Sequence, residues 1–475
     1  DGRRVEILEK SLQIILDGVY EKMLKYSREI RSPLTNLYML GIILPTLGLA
    51  LLPLASTLLQ GAVRWVHVFV LFNIIVPFFV MYMVGEVLLK RPGGYGEGAT
   101  LELNPNYAQF KSKKPWVVAG LIALPFLILG FLPFIFQFDF VSSLGLQNDY
   151  TFSDFGVDIL GDAKFFDFQE FEGERVGPFG PVAILASLFV PFALVLFFST
   201  AFRKKTEGLI KSRENTKKLE REFANSLFQL GNRLGDGMPA EIVFGKISAS
   251  TKGQQSSEFF SYVNQNIQQG MSLERAVFDR KRGAILYYPS ALIATSMRIL
   301  IESARKGLSI AARSLMSISE YVKNIERINQ RLSDLLAEIV SDMKSNMVFL
   351  APLLAGIVVG LSAMITFILN KLQELQVAGQ NSDIPFDLGS AFGIFNVQTM
   401  IPPYFIQIAI GIYIVQVIFI LTGALVTVDS GRDPLKEKYE LSRNLRSGVM
   451  IYLITALISI IALSVLGAIA FGGFG

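Results

Sequence analysis

The chain contains no cysteine. That excludes disulfides, thiolate zinc sites and cysteine-held iron–sulfur clusters. It contains one histidine, His67, which argues against a histidine-based metal centre or a Ser-His-Asp triad. Charged residues make up only 18% of the 475, against about a quarter in soluble domains. No GxxxxGK[ST] phosphate loop occurs. The Gly-rich GGYGEG at 93–98 lies between two apolar runs and reads as a flexible connection. No Asp, Glu, Lys or Arg falls in the central part of any long apolar run, which counts against a pump or proton-coupled transporter. No metal, cofactor or nucleic-acid partner is expected.

What the chain has is apolar length. It is 51% hydrophobic, with a mean hydropathy of +0.45. Long apolar runs fall near 35–57, 65–89, 115–138, 180–202, 346–370, 402–427 and 447–473. Each suffices for the ~20 residues a helix needs to cross the hydrocarbon. Trp65 and Trp116 stand at run ends, as interfacial aromatics do. The expectation is seven spans, numbered 1 to 7 in chain order.

Lys and Arg cluster before span 1, between spans 2 and 3, after span 4 (Arg203, Lys204, Lys205) and after span 6 (Arg432, Lys436, Lys438, Arg443, Arg446). By the positive-inside rule these regions are cytoplasmic. Residues 139–180 carry nine acids against Lys164 and Arg175, and belong outside. The expected organisation is a cytoplasmic helix over 1–34, spans 1–3 within 35–138, an extracytoplasmic acidic loop over 139–179 and span 4 over 180–202. A cytoplasmic helical bundle over 203–345 and spans 5–7 within 346–475 complete it, with the C-terminus outside. The fold class is all-α. Asn73, Gln407 and Gln416, polar residues within spans, are expected to hydrogen-bond between helices.

Residues 203–345 hold 23 Lys and Arg against 15 Asp and Glu, a net of 23 − 15 = +8. Leu219, Phe223, Leu227, Leu230 and Leu234 mark one amphipathic helix, and Phe259, Val263 and Ile267 another. Gly and Pro breaks divide the segment into about six helices. Two ten-residue stretches, GMPAEIVFGK at 237–246 and GMSLERAVFD at 270–279, read as helix–stop–helix signals. Gly237 and Gly270 suit the left-handed position that ends a helix. Pro239 suits the first turn of the next helix, and Ser272 an N-cap.

The last bundle helix carries Leu315, Ile318, Val322, Ile325, Leu332, Leu336, Ile339 and Met343 at heptad spacing. No breaker separates it from span 5, so Lys344 and Ser345 mark a continuous junction. Leu12, Ile15, Val19, Met23, Tyr26 and Ile30 repeat the pattern 313 residues earlier (325 − 12). Three spans follow each copy in the same order, which is an internal duplication. The first copy lacks most of its bundle, which is expected upstream of Asp1.

FANSLFQLGNRLGDGMPAEI (223–242) resembles the first helical hairpin of the type II secretion system F domain. NIQQGMSLERAVF (266–278) resembles its second signature, and IESARKGL (301–308) a later segment of it. The resemblance is strong over about 200–350, and seven spans look more like the archaeal branch than the shorter bacterial platforms. The acidic, Phe-rich outside loop matches no family motif. The resemblance implies a non-enzymatic plasma-membrane assembly platform of an archaellum or archaeal pilus. Its implied partners are a hexameric cytoplasmic ATPase, pilin-like or archaellin subunits, membrane lipids and a second copy in a homodimer.

On that basis Arg280, Lys281 and Arg282 are the candidate ATPase contact; a solvated loop or a contact with anionic lipid competes with it. Glu302, Arg305 and Lys306 form either a bundle salt-bridge group or a solvated surface. The alternative for the whole chain is a transporter or channel, whose repeated spans usually bring broken helices or mid-membrane polar sites.

Overall fold

The apolar runs fold as helices because the hydrocarbon core leaves backbone polar groups no other partner. The computed structural model describes residues 2–59, 62–91, 110–138, 141, 147, 149–151, 153–155, 164–171, 174–288, 290–379 and 400–472. The GGYGEG stretch, most of 371–401 and the loop acids Asp139, Asp158, Asp162 and Glu172 lie outside these residues.

Helix α1 (Gly2–Tyr38) runs through a π-helical turn at Met39–Ile43 into α2 (Leu44–Ala50) and α3 (Leu52–Leu58), which complete span 1. Span 2 is α4 (Trp65–Val70), a π turn at Leu71–Ile75 and α5 (Val76–Leu89). Span 3 is α6 (Lys114–Phe136). After a short antiparallel hairpin, β1 (Gln169–Phe171) with β2 (Glu174–Val176), comes α7 (Pro181–Ser187). Helix α8 (Phe189–Gly235) then carries both span 4 and the first bundle helix. The bundle continues with α9 (Ala240–Ser250), α10 (Gln255–Gln268), α11 (Leu273–Phe278) and α12 (Ala291–Ala304). Helix α13 (Leu308–Ser345) passes through a third π turn, Asn346–Leu350, into α14 (Ala351–Gly379), span 5. Spans 6 and 7 are α15 (Pro403–Ser430) and α16 (Pro434–Gly472).

Among the described residues seven helices are therefore long and apolar enough to cross a membrane, and the chain is an all-α polytopic membrane protein with a six-helix bundle outside its spans. The expected boundary between residues 202 and 203 falls inside a single helix, because Arg203 to Lys205 change the solvent of α8 and not its backbone.

Span 6 is the spine, 72% buried where the other spans are 22–50% buried. The three π turns face it for a local reason. Each precedes a proline by two residues: Pro45, Pro77 and Pro352. Proline has no N–H for the carbonyl four residues back, and its ring crowds that carbonyl. A π turn widens the helix there, and at two of the three a neighbouring helix supplies the missing donor. For Pro45 the carbonyl is Gly41 O, which accepts the Tyr413 hydroxyl. For Pro77 it is Asn73 O, which accepts Gln416 Nε2 at 3.1 Å. That bond meets the expectation for Gln416. The side-chain amides of Asn73 and Gln407 have no hydrogen-bond partner among the described residues.

Spans 5 and 7 touch through small residues. A Cβ on Gly356 would lie 2.7 Å from Thr455 Cβ and 2.8 Å from Ala456 N; one on Gly360 would lie 2.5 Å from Ser459 Cβ. This is close backbone approach of the GxxxG kind.

The two heptad helices expected to be duplicates, α1 and α13, lie against each other. Met23, Tyr26 and Ile30 are buried in one cluster with Leu336, Ile339 and Met343. The π turns keep a different offset, 346 − 39 = 307, and the packing of the third spans is unlike. Span 7 lies along span 5, whereas span 3 lies along span 4. Ile15 and Val19 are exposed.

The bundle core gathers Leu219, Phe223, Leu227 and Leu230 of α8 with Phe244, Phe259, Phe260 and Leu315. Phe223 stacks on Phe260 at 5.5 Å and meets Phe259 edge-on at 5.7 Å.

Candidate functional site

Both expected hairpin stops form, each with the same bonds. Gly237 (φ +82°) donates to Leu234 O at 3.0 Å and Met238 N to Arg233 O at 3.2 Å. Gly270 (φ +86°) donates to Ile267 O at 2.9 Å and Met271 N to Asn266 O at 3.1 Å. Both are Schellman closures. Two details differ from expectation. Pro239 occupies the N-cap of α9, not its first turn, with ψ 139°. Ser272 holds the N-cap position of α11, but its side chain makes no capping bond.

Arg280, Lys281 and Arg282 are exposed on the connection from α11 to α12. Their backbone is fixed from two sides. The Asp279 carboxylate accepts Lys281 N at 2.8 Å and Arg282 N at 2.9 Å, and those bonds hold its pKa below the usual carboxylate value. Buried Asn266 donates its amide to Ala276 O at 3.1 Å and Arg282 O at 2.8 Å. The three cations thus sit on a rigid loop. The Glu302, Arg305 and Lys306 group does not assemble: Arg305 pairs with Glu274 of α11 at 2.6 Å. Glu302 and Lys306 are exposed and make no ion pair among the described residues, so solvation describes them.

The strongest polar assembly lies where the bundle helices enter the membrane. It centres on the connection between spans 6 and 7. Gly431 (φ +79°) ends α15, and Asp433 caps α16 by accepting Lys436 N at 3.1 Å, with Pro434 in the first turn. Three neighbours grip this turn. Arg213 of α8 pairs with Asp433 at 2.7 Å, where Asp433 is 3% exposed. Lys344, at the end of α13, reaches Glu440 at 3.6 Å. Arg91, after span 2, donates Nε to Val428 O at 3.2 Å. Within the turn, Lys436 pairs with Asp429. Burial alone would raise the pKa of Asp433; the bonds from Arg213 and Lys436 outweigh it and leave the value lowered.

Close by, Lys205 lies 5.6 Å over the Trp116 ring. An aromatic and a cation sharing one level is what an interfacial belt provides. Chemically, this collar is a set of ion pairs and cap bonds around one turn. It ties both membrane-entering bundle helices to one turn. Of the expected junction, Lys344 belongs to this collar and Ser345 follows it, and α13 passes both without a break.

Sequence reasoning missed Asp433 and Arg213. The Asp433-Pro434 pair is a cap signature, but the cations around it dominate the segment. Nothing local to Arg213 marks its partner 220 residues away (433 − 213).

Fold and site define a polytopic helical membrane protein whose bundle is mechanically continuous with its spans. Compared with known proteins, the chain matches no family model, no curated protein and no solved structure.

Proposed function

We propose that this chain is a non-enzymatic platform of a type IV filament assembly machine, an archaellum or archaeal pilus, in the plasma membrane. The bundle faces the cytoplasm and receives a hexameric ATPase; the spans pass its motion to pilin-like or archaellin subunits. The observation that best supports this is the unbroken path from bundle to membrane. Leu308–Leu372 is one run of 65 helical residues, about 100 Å long at 1.5 Å per residue. A tilt of the bundle end of such a rod displaces its membrane end. The resemblance of 223–242 and 266–278 to the F domain supplies the machine; the rods supply a way to work in it.

The test inserts a flexible Gly-Ser segment between Ser345 and Asn346. ATPase binding and ATP turnover are expected to persist while filament growth stops; normal growth would overturn the lever. Reversing Arg280, Lys281 and Arg282 to Glu is expected to weaken ATPase co-purification without loss of membrane insertion. The unpartnered amide of Asn73 beside Gln416 favours a second reading, a transporter or channel. Substrate-dependent flux in proteoliposomes would carry it.

A further inference from the structure

Helices α1 and α13 enter the membrane side by side and leave a cleft of about 290 Å³ between them. Its lining changes character along its length. At the bundle end are Arg31, Thr35, Tyr38, Asp342 and Ser345; at the membrane end are Met39, Ile42, Ile43 and Leu350. The change coincides with the last charges before hydrocarbon. After Arg31 the next charged residue is Arg64, and after Lys344 it is Lys371. The cleft therefore straddles the headgroup–acyl boundary. It also opens sideways: Met39 is half-exposed, and Leu40, Leu44 and Leu47 continue an exposed apolar strip along span 1. That strip faces lipid.

The polar end selects among headgroups. Arg31 on α1 already pairs with Glu338 at 2.6 Å. Asp342, on the opposite wall, makes no ion pair among the described residues, and the hydroxyl of Tyr38 is buried without a partner. Arg31, Glu338 and Asp342 sum to 1 − 2 = −1, so a purely anionic headgroup is repelled. A headgroup with a phosphate and a donor ammonium finds the remaining Arg31 donors on one wall, and Asp342 with Tyr38 on the other. Choline supplies charge but no N–H; a primary ammonium supplies both.

We propose that this cleft is a binding site for one zwitterionic phospholipid with a primary ammonium. The ammonium sits on Asp342 and the Tyr38 hydroxyl, the phosphate on Arg31, and one hydrocarbon chain lies against Met39, Ile42, Ile43 and Leu350. The site lies between two π turns, so its occupant touches both helices at the point where they widen.

The full chain in vesicles containing a phosphatidylethanolamine with a photoactivatable acyl chain tests this. Cross-linked peptides are located by mass spectrometry. Lipid-facing Ile458 and Ile461 of span 7 serve as the internal standard for annular lipid. Labelling of 38–43 and 343–350 is expected to exceed that standard, and to exceed labelling by phosphatidylcholine and phosphatidylglycerol probes with the same chain. Asp342→Asn, an exposed position, is expected to lower it ~10-fold, the effect of one charge-assisted hydrogen bond. Ile43→Trp, which fills the apolar end, is expected to abolish it. Equal labelling by all three headgroups, or no change in Asp342→Asn, would overturn the proposal.

Discussion

Asp433 is the residue on which the collar is most exposed to test. Asp433→Asn removes the charge opposite Arg213 but keeps a competent N-cap for α16, since Asn caps about as well as Asp. Breaking a buried ion pair from one side costs ~3–5 kcal/mol where nothing else compensates the remaining charge. Arg213 retains 20% side-chain exposure and a further partner, which together offset part of this, and about 1–3 kcal/mol is expected. Asp433→Ala also loses the cap bond to Lys436 N, a further ~1 kcal/mol. Arg213→Met with Asp433→Asn removes both charges and is expected to recover much of the loss, giving a coupling energy above about 1 kcal/mol.

The readout is urea unfolding in detergent, followed by Trp116 fluorescence in a Trp65→Phe background. Trp116 packs against Phe197, Phe198 and Phe202 of α8 with Lys205 over its ring. Lys205, over that ring, stands eight residues along α8 from Arg213 (213 − 205), about 12 Å at 1.5 Å per residue. The pH dependence adds an independent arm. The folded pKa of Asp433 is lowered, so the pair's stability is fully present above the unfolded carboxylate value of about 4. It is lost as pH falls through the folded value. The Asn variant lacks this acid-dependent component. A loss below ~1 kcal/mol in Asp433→Asn, or no coupling in the double variant, would refute the collar as a buried, interdependent joint.

Asn266→Leu is expected to leave Ala276 O and Arg282 O without their donor, at a cost of about 1–3 kcal/mol. Hydrogen exchange should then speed up at Lys281, Arg282 and Gly283, while the helices keep their protection. Gly360→Leu is expected to drive spans 5 and 7 apart, since even its Cβ would meet Ser459 at 2.5 Å. The same fluorescence titration reads this as a lowered midpoint.

The helices were legible because each span announces itself by apolar length, and the two hairpin stops by a glycine that no side chain could replace cheaply. Gly237 and Gly270 both take the positive φ that their place in the pattern requires. Continuity of α13 with span 5 was legible for the same reason, as no breaker intervenes. Continuity of α8 with span 4 was obscured by Arg203–Lys205, which mark a change of solvent and not of conformation. The collar was illegible because its bonds join residues brought together only by the fold. Exposure decided the Glu302 group: helix spacing put Arg305 near Glu302, but Glu274 from another helix took it.

The π turns occupy a middle ground, and they yield the sharpest test of how local sequence and tertiary packing trade donors. A proline inside an apolar run leaves the carbonyl four residues back without its helical N–H. The sequence alone fixes that Gly41 and Asn73 carry such carbonyls, from Pro45 and Pro77; only the fold says who answers them. Tyr413 and Gln416, three residues apart on span 6, do so. Tyr413→Phe is therefore expected to destabilise the chain by about 1–2 kcal/mol, the cost of an unmet acceptor. Pro45→Ala restores a backbone N–H that can serve Gly41 O, so the same Tyr413→Phe change should cost little in that background. Equal losses in both backgrounds would mean that the hydroxyl holds spans 1 and 6 together for a reason unrelated to the proline. A loss confined to the Pro45 chain would show that span 6 carries its polar residues to complete the helices packed around it.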